Sequence, residues 1–184
     1  METSIATAED ILEFWFSAET SQNWFKASDT LDNTIKARFS NIYQKARKDM
    51  LDEWLTEPFS TLALVIILDQ FSRNMFRQSK QAYQCDQQAC TIVKAAISKH
   101  FDNALTGWNR SFLYMPLMHS ENIEDQELSV TLHMNAGLDN ARYAIHHRDI
   151  VKRFGRFPHR NRLLGRDSTQ EELAYLASEE AFTG

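Results

Sequence analysis

Apolar residues recur three and four positions apart along almost the whole chain, the spacing of one face of an α-helix. Thr7 is expected to cap a first helix over 8–16, with Ile11, Leu12, Phe14, Trp15 and Phe16 as its large apolar groups. The loop that follows carries Trp24 and Phe25, expected to tuck into the core. Ser28 or Asp29 opens a longer surface helix, apolar at Leu31, Ile35, Phe39, Ile42 and Tyr43. A short helix is expected around 50–55. Thr56 as N-cap and Pro58 in the first turn then open a helix whose stretch 62–68 is apolar all round, the pattern of a central, buried element. Further amphipathic helices are predicted over 81–100 and over 110–118, with Pro116 near the end of the second. Another begins at Glu121 behind a Ser120 cap, and one runs over 138–154 after Gly137. Ser168-Thr169-Gln170-Glu171 has a capping-box pattern and opens a last helix carrying Leu173 and Leu176.

No strand-like alternation, linker or low-complexity segment interrupts this pattern. The expectation is therefore one all-α domain over 1–184, about eight helices arranged as stacked antiparallel hairpins. Glycine (5) and proline (3) are scarce, which also favours long helices over turn-rich β architectures.

Two stretches depart from simple amphipathicity. The apolar run 62–68 passes directly into LDQFSRNMFR, where Asp69, Arg73 and Arg77 fall at i, i+4 and i+8. Asp69 and Arg73 share a face with Leu62 and Ile66, so they are expected to be shielded from water. The second stretch is 143–166, YAIHHRDIVKRFGRFPHRNRLLGR. Read as a helix up to Gly155, it puts Tyr143, His147, Ile150, Val151 and Phe154 on one apolar stripe and His146 with the charges on the other. Gly155 is a helix stop, Pro158 blocks continuation, and a compact loop carrying Arg156, His159, Arg160 and Asn161 follows. Eight Lys or Arg lie between Arg142 and Arg166 against one acid, Asp149.

Charge changes the picture only by exclusion. The net charge is −5, so general nucleic-acid binding is not expected and the basic cluster is local. The start of the chain has no basic region followed by an apolar one, so no signal peptide is read. The longest apolar run, 62–68, is far short of the roughly 20 residues that span a bilayer. Cys85 and Cys90 lie five apart on a predicted helix and point in different directions, so a disulfide is not expected. A cytoplasmic, reducing setting is the default expectation.

Three segments, LALVIILDQFSRNMFR, FLYMPLMHSENIEDQELSV and HRDIVKRFGRFPHRNRLLGRDSTQEE, resemble the signature segments of a bacterial family called domain of unknown function 924. The resemblance runs from about Ile11 to the end of the chain. It implies an all-helical fold of the tetratricopeptide-repeat-like kind, and it implies no activity.

The chemistry of these segments resides in Asp69, Arg73 and Arg77; His119, Glu121 and Asp125; and His147, Arg148, Arg156, His159, Arg160 and Asn161. Each group sits at the end of an apolar helix, where a buried charge needs a partner, so the three are expected to converge on one concave site. Two outcomes use the same residue types. The acids and guanidinium groups could do nothing but satisfy one another and fix helix packing, with Glu121 and Asp125 answering Arg148 or Arg156. Alternatively, arginines left in excess would receive a small anionic ligand or an acidic peptide terminus, for which the guanidinium fork is suited. A hydrolase using His119, His147 and the carboxylates, with or without a divalent metal, is the competing reading. A helical scaffold docking a protein partner is a third. No dedicated metal site and no cofactor are predicted: HExxH, Gly-rich phosphate loops and nucleophile elbows are absent from the sequence. The tryptophans and most of the phenylalanines are read as core.

Overall fold

The computed structural model describes residues 5–182, and every regular element among them is helical. Thr7 caps α1 (Ala8–Trp15): its hydroxyl accepts from the Asp10 amide, and the Asp10 carboxylate answers the Thr7 amide. A single turn, α2 (Ala18–Ser21), leads to α3 (Asp29–Ala46), capped by Ser28. The α3 face of Ile35, Phe39, Ile42 and Tyr43 is buried. A 3₁₀ turn at Asp52–Thr56 precedes α4 (Pro58–Ile66), which Glu57 rather than Thr56 precedes as cap residue, with Pro58 at its first position.

The helix α4 is the hub. Leu62 through Leu68 are all buried, and α1, α6 and α7 pack around α4. The core is aromatic where α1 meets it: Trp15 lies 5.7 Å from Phe71 and 5.5 Å from Phe112, ring centre to ring centre. Each such side chain contributes roughly 1.5–3 kcal/mol through the apolar surface it removes from water.

The backbone then does something periodicity does not announce. Ile67–Phe71 forms a single π turn before α5 (Ser72–Met75) resumes α geometry. At this change of register the Ser72 hydroxyl donates to the Leu68 and Asp69 carbonyls, at 2.6 and 3.0 Å, and the Arg73 guanidinium donates to the Asp69 carbonyl at 2.8 Å. π turns of this kind occur frequently at functional sites.

The predicted helix over 81–100 is two elements, a 3₁₀ turn at Lys80–Tyr83 and α6 (Asp86–Ser98). Helix α7 (Gly107–His119) starts at Gly107, whose φ of +51° suits glycine, and includes Pro116 near its end, as expected. Helix α8 (Ile123–Asn135) is capped by Asn122, not Ser120, so Glu121 lies in the connection before it. It is followed by α9 (Ala141–Phe154), which Gly155 closes in the left-handed region at φ +71°. A 3₁₀ turn at Pro158–Arg160, α10 (Asn161–Leu164) and α11 (Gln170–Leu176) complete the chain, the last with a capping box of Thr169 and Glu172, one position later than predicted. Helices α6 to α9 each pack on the next. A satellite core of Ile150, Val151, Phe157 and Tyr175 fastens the chain after α9 to the body, with Phe154, Leu176 and Phe182 against it.

Several expected core residues are at the surface. Phe25 is 66% exposed and Trp108 43%, lying 5.6 Å apart as an aromatic cap over Phe112. Tyr143 and Leu173 are also exposed. Phe25, Trp108 and Tyr143 sit in the loop before α3 or in the first turn of a helix, where helical spacing no longer predicts which side meets the core, and Leu173 lies on the outer face of the short α11. Trp24 does tuck inward, donating its indole N–H to the Trp15 carbonyl at 2.9 Å.

Candidate functional site

The π turn aims Asp69 into the interior, where it is almost wholly buried. One carboxylate oxygen lies 2.8 Å from His119 Nδ1 and 3.1 Å from the Arg73 guanidinium, and the other accepts from the Gln70 amide at 2.5 Å. Burial alone would raise the Asp69 pKa. The Arg73 charge, His119 and the Gln70 amide outweigh it and hold the carboxyl well below the usual carboxylate range. Burial, only partly opposed by Asp69, lowers the His119 pKa, so the ring is neutral. An ionised carboxylate can only accept, so Nδ1 carries the imidazole hydrogen and Nε2 keeps the lone pair.

Arg73 also makes a two-pronged contact with Asp86, at 3.0 and 3.1 Å, on the first turn of α6. The N-terminal end of a helix favours a carboxylate there. Asp86 in turn accepts from Arg160 at 3.3 Å. Arg160 is buried and its guanidinium carbon lies over two rings, 4.6 Å from the centre of Tyr83 and 4.5 Å from that of Phe157. A guanidinium offers five N–H donors. Among the described residues Arg160 uses one, the long bond to Asp86, and its Nε–H is buried with no partner. Burial and the Arg73 charge lower the Arg160 pKa, against the pull of Asp86.

Three histidines complete the cluster. His147 comes from the apolar stripe of α9, with Nδ1 held by the Tyr143 carbonyl at 2.7 Å. Its ring lies 6.3 Å from His119 and 5.6 Å from Phe157. His159 also lies 5.6 Å from Phe157. Burial first, then the neighbouring His119 for His147 and Arg160 for His159, lowers both pKa values to about 3. All three imidazoles are therefore uncharged at neutral pH. Phe182, after α11, lies over His147 and His159 at 4.3 and 5.1 Å.

Asp69, Arg73, His119, His147, His159 and Arg160 thus come together from all three predicted segments. Glu121 stands at the edge. It grips Arg166 at 2.6 and 2.9 Å and accepts from the Phe157 amide at 2.8 Å, tying the 155–166 loop to the α7–α8 connection. Asn161 is buried behind it, bonded to Ser168 and Arg166. The other predicted residues go elsewhere. Arg77 clasps Asp32 of α3 at 2.6 and 2.8 Å. Asp125 pairs with Lys94 and accepts from Ser120. Arg148 lies at the surface with Glu127 and Asp149, and Arg156 makes a two-pronged pair with the buried Glu172. The expected partners of Glu121 and Asp125, Arg148 and Arg156, are therefore corrected to Arg166 and Lys94.

The expected excess of positive charge is absent from the cluster. Arg73, Arg160 and Arg166 face Asp69, Asp86 and Glu121, three against three. What is in excess is hydrogen-bond donors, and they belong to Arg160. Asp86 and Tyr83 carry no signal in the sequence, because they sit in a stretch that reads as one ordinary amphipathic helix. Two hollows lie elsewhere: one of about 450 Å³ between α1 and α3, lined by Glu13, Phe14 and Arg38, and one of about 260 Å³ beside Asp32 and Arg77. Neither contains a histidine, and their linings lack the buried unpartnered group that marks the cluster.

An all-helical protein with a buried Asp–His–Arg centre is the class that fold and site define. The chain belongs to the family described as bacterial protein of unknown function (DUF924), whose model matches residues 11–180. It is similar to a solved structure, a protein of unknown function, ATU0120, from Agrobacterium tumefaciens, with 39% identity and a TM-score of 0.88 over 92% of this chain and 96% of that one. No curated protein matches the chain. Among the described residues no helix is long and apolar enough to cross a membrane.

Proposed function

We propose that the cluster binds a small anionic ligand, and that Arg160 is its receptor. One observation carries the reading. Arg160 is a buried cation, pre-positioned over two aromatic rings, with most of its donors unused. An unmet buried donor costs about 1–3 kcal/mol, and an oxyanion would meet it with the paired geometry that guanidinium favours. His159, neutral and next to Arg160 in the chain, would add a hydrogen bond without adding charge. Arg156, the obvious candidate on sequence grounds, is occupied by Glu172. The test is thermal unfolding with inorganic phosphate and with acetate. The wild type should gain stability with one or both, and Arg160→Met should abolish the gain while Arg156→Ala keeps it. A wild type indifferent to both anions over a wide concentration range would sink the reading.

A second reading has its own observation. The Asp69–His119 pair is a carboxylate-oriented neutral imidazole with its Nε2 lone pair unused, the arrangement of a general base. On this reading the chain is a hydrolase or proton-transfer enzyme acting on the ligand that Arg160 holds. His119→Gln would then leave anion binding intact and remove turnover.

The wider setting of both readings is a single domain of the tetratricopeptide-repeat-like kind in the cytoplasm. The consecutive packing of α6 to α9 supports the first, and the free, buried thiols of Cys85 and Cys90 support the second.

A further inference from the structure

We infer that the slot holding Phe182 is a ring subsite of the same site, and that the ligand is an anion carried on a flat aromatic or heteroaromatic group, which displaces Phe182 on entry. The inference rests on the reading of Arg160 as anion receptor and adds to it the class of molecule.

The slot has walls suited to a ring. Phe182 meets His147 at 4.3 Å with the rings tilted by 59°, and His159 at 5.1 Å edge to face; His146 lies at 6.4 Å. Such tilted and edge-on contacts are the favoured geometries between aromatic groups. The slot and the guanidinium share their walls. His147 and His159 both flank Phe157, and Phe157 is the ring on which Arg160 lies. A molecule with a ring in the slot and an acidic group at Arg160 would touch the same three side chains throughout.

Phe182 is a weakly held occupant. The segment between α11 and Phe182 is exposed at Ala177 through Glu180. Among the described residues its hydrogen bonds are few: the Tyr175 hydroxyl donates to the Glu180 carbonyl at 3.3 Å and accepts from the Phe182 amide at 2.9 Å, the Ala181 amide donates to the Ser178 carbonyl at 3.3 Å, and the Ser178 hydroxyl and amide donate to the Tyr175 carbonyl at 2.7 and 3.0 Å. Segments held by a few exposed hydrogen bonds open at little cost compared with global unfolding. An occupant that must leave lowers the apparent affinity of whatever replaces it.

The experiment is calorimetric titration of phenyl phosphate and of inorganic phosphate into the wild type, Phe182→Ala, Tyr175→Phe and Arg160→Met. Removing the resident ring should tighten phenyl phosphate about tenfold and leave inorganic phosphate within about twofold, because only the former uses the slot. Tyr175→Phe, which keeps Phe182 but removes the hydroxyl that pins it, should shift phenyl phosphate the same way by less. Phenyl phosphate affinity that is unchanged or weaker in both variants, while inorganic phosphate still binds and still depends on Arg160, overturns the ring subsite alone. Failure of both compounds to bind any of the four proteins overturns the Arg160 reading, and this inference with it.

Discussion

Asp69 and His119 lie fifty positions apart in the chain and share a hydrogen bond of 2.8 Å in the interior, one from a π turn and the other from the last residue of α7. Replacing Asp69 by Ala removes the carboxylate that faces His119, Gln70 and Arg73 together. The expected cost is about 3–5 kcal/mol, the range for breaking a buried ion pair from one side. Urea unfolding of Asp69→Ala measures it; a loss under about 1 kcal/mol would mean that the pair contributes little to the fold.

Two arginines that meet at Asp86 should behave oppositely. Arg73 neutralises both Asp69 and Asp86, so Arg73→Met should destabilise by about 3 kcal/mol or more. Arg160 makes one long bond, and Asp86 keeps Arg73 without it, so Arg160→Met should cost less than about 1.5 kcal/mol. Equal losses in chemical unfolding would identify Arg160 as a structural ion rather than a receptor.

The Arg156–Glu172 pair should matter for α11 and not for the site. Hydrogen bonds from Arg156, with the Thr169 amide, hold the Glu172 pKa at about 2, and the same carboxylate completes the cap of that helix. Arg156→Ala should raise amide exchange across Gln170–Leu176 and leave exchange in α4 and α7 unchanged. Protection lost equally in all three helices would contradict this.

The buried histidines set the acid limit. His147 and His159 titrate at about 3 when folded and near 6.5 when exposed, so the unfolded chain binds more protons between those values. Their stabilising contribution is complete above 6.5 and is lost as pH falls toward 3. His119 and His133 are depressed in the same sense. Glu172 acts in the same direction but in a lower window, from 4.5 to about 2. The urea midpoint should therefore begin to fall between pH 7 and 5, and the double variant His147→Gln, His159→Gln should flatten that fall. A midpoint constant from pH 7 to 5 would show these rings to be open to water.

The helical architecture was legible because helical period survives along most of the chain: the run 62–68 reads as central, and His147 in the apolar stripe of α9 is buried. Thr7, Ser28 and Gly155 mark helix ends as expected. The convergence of Asp69, His119 and Arg160 was expected from polar groups that follow apolar runs, although only His119 lies at a helix end, Asp69 being in the π turn and Arg160 in the 3₁₀ turn after α9. The partners did not follow. Arg73 meets Asp86, Glu121 meets Arg166 and Arg160 meets Asp86 across separations that no periodicity encodes. A basic cluster in sequence, 142–166, is dispersed in space because its arginines leave α9 and the segment after it in different directions. The π turn was invisible for another reason: Ile67, Leu68 and Phe71 continue the apolar run of the helix it interrupts, and Asp69 and Gln70 would fit an unbroken α-helix as well.

That turn also makes the length of the chain part of the chemistry. Removing one residue within Ile67–Phe71 would let an unbroken α-helix run from Pro58 to Met75, a local gain in regularity. The flanking helices would keep nearly the same faces, because a π turn takes up one residue more than an α turn, but the widened turn that presents Asp69 would be lost. Asp69 could not then face His119 while Leu62 and Ile66 kept their places in the core. Drift by substitution is open to this segment, but shortening by a single codon is not.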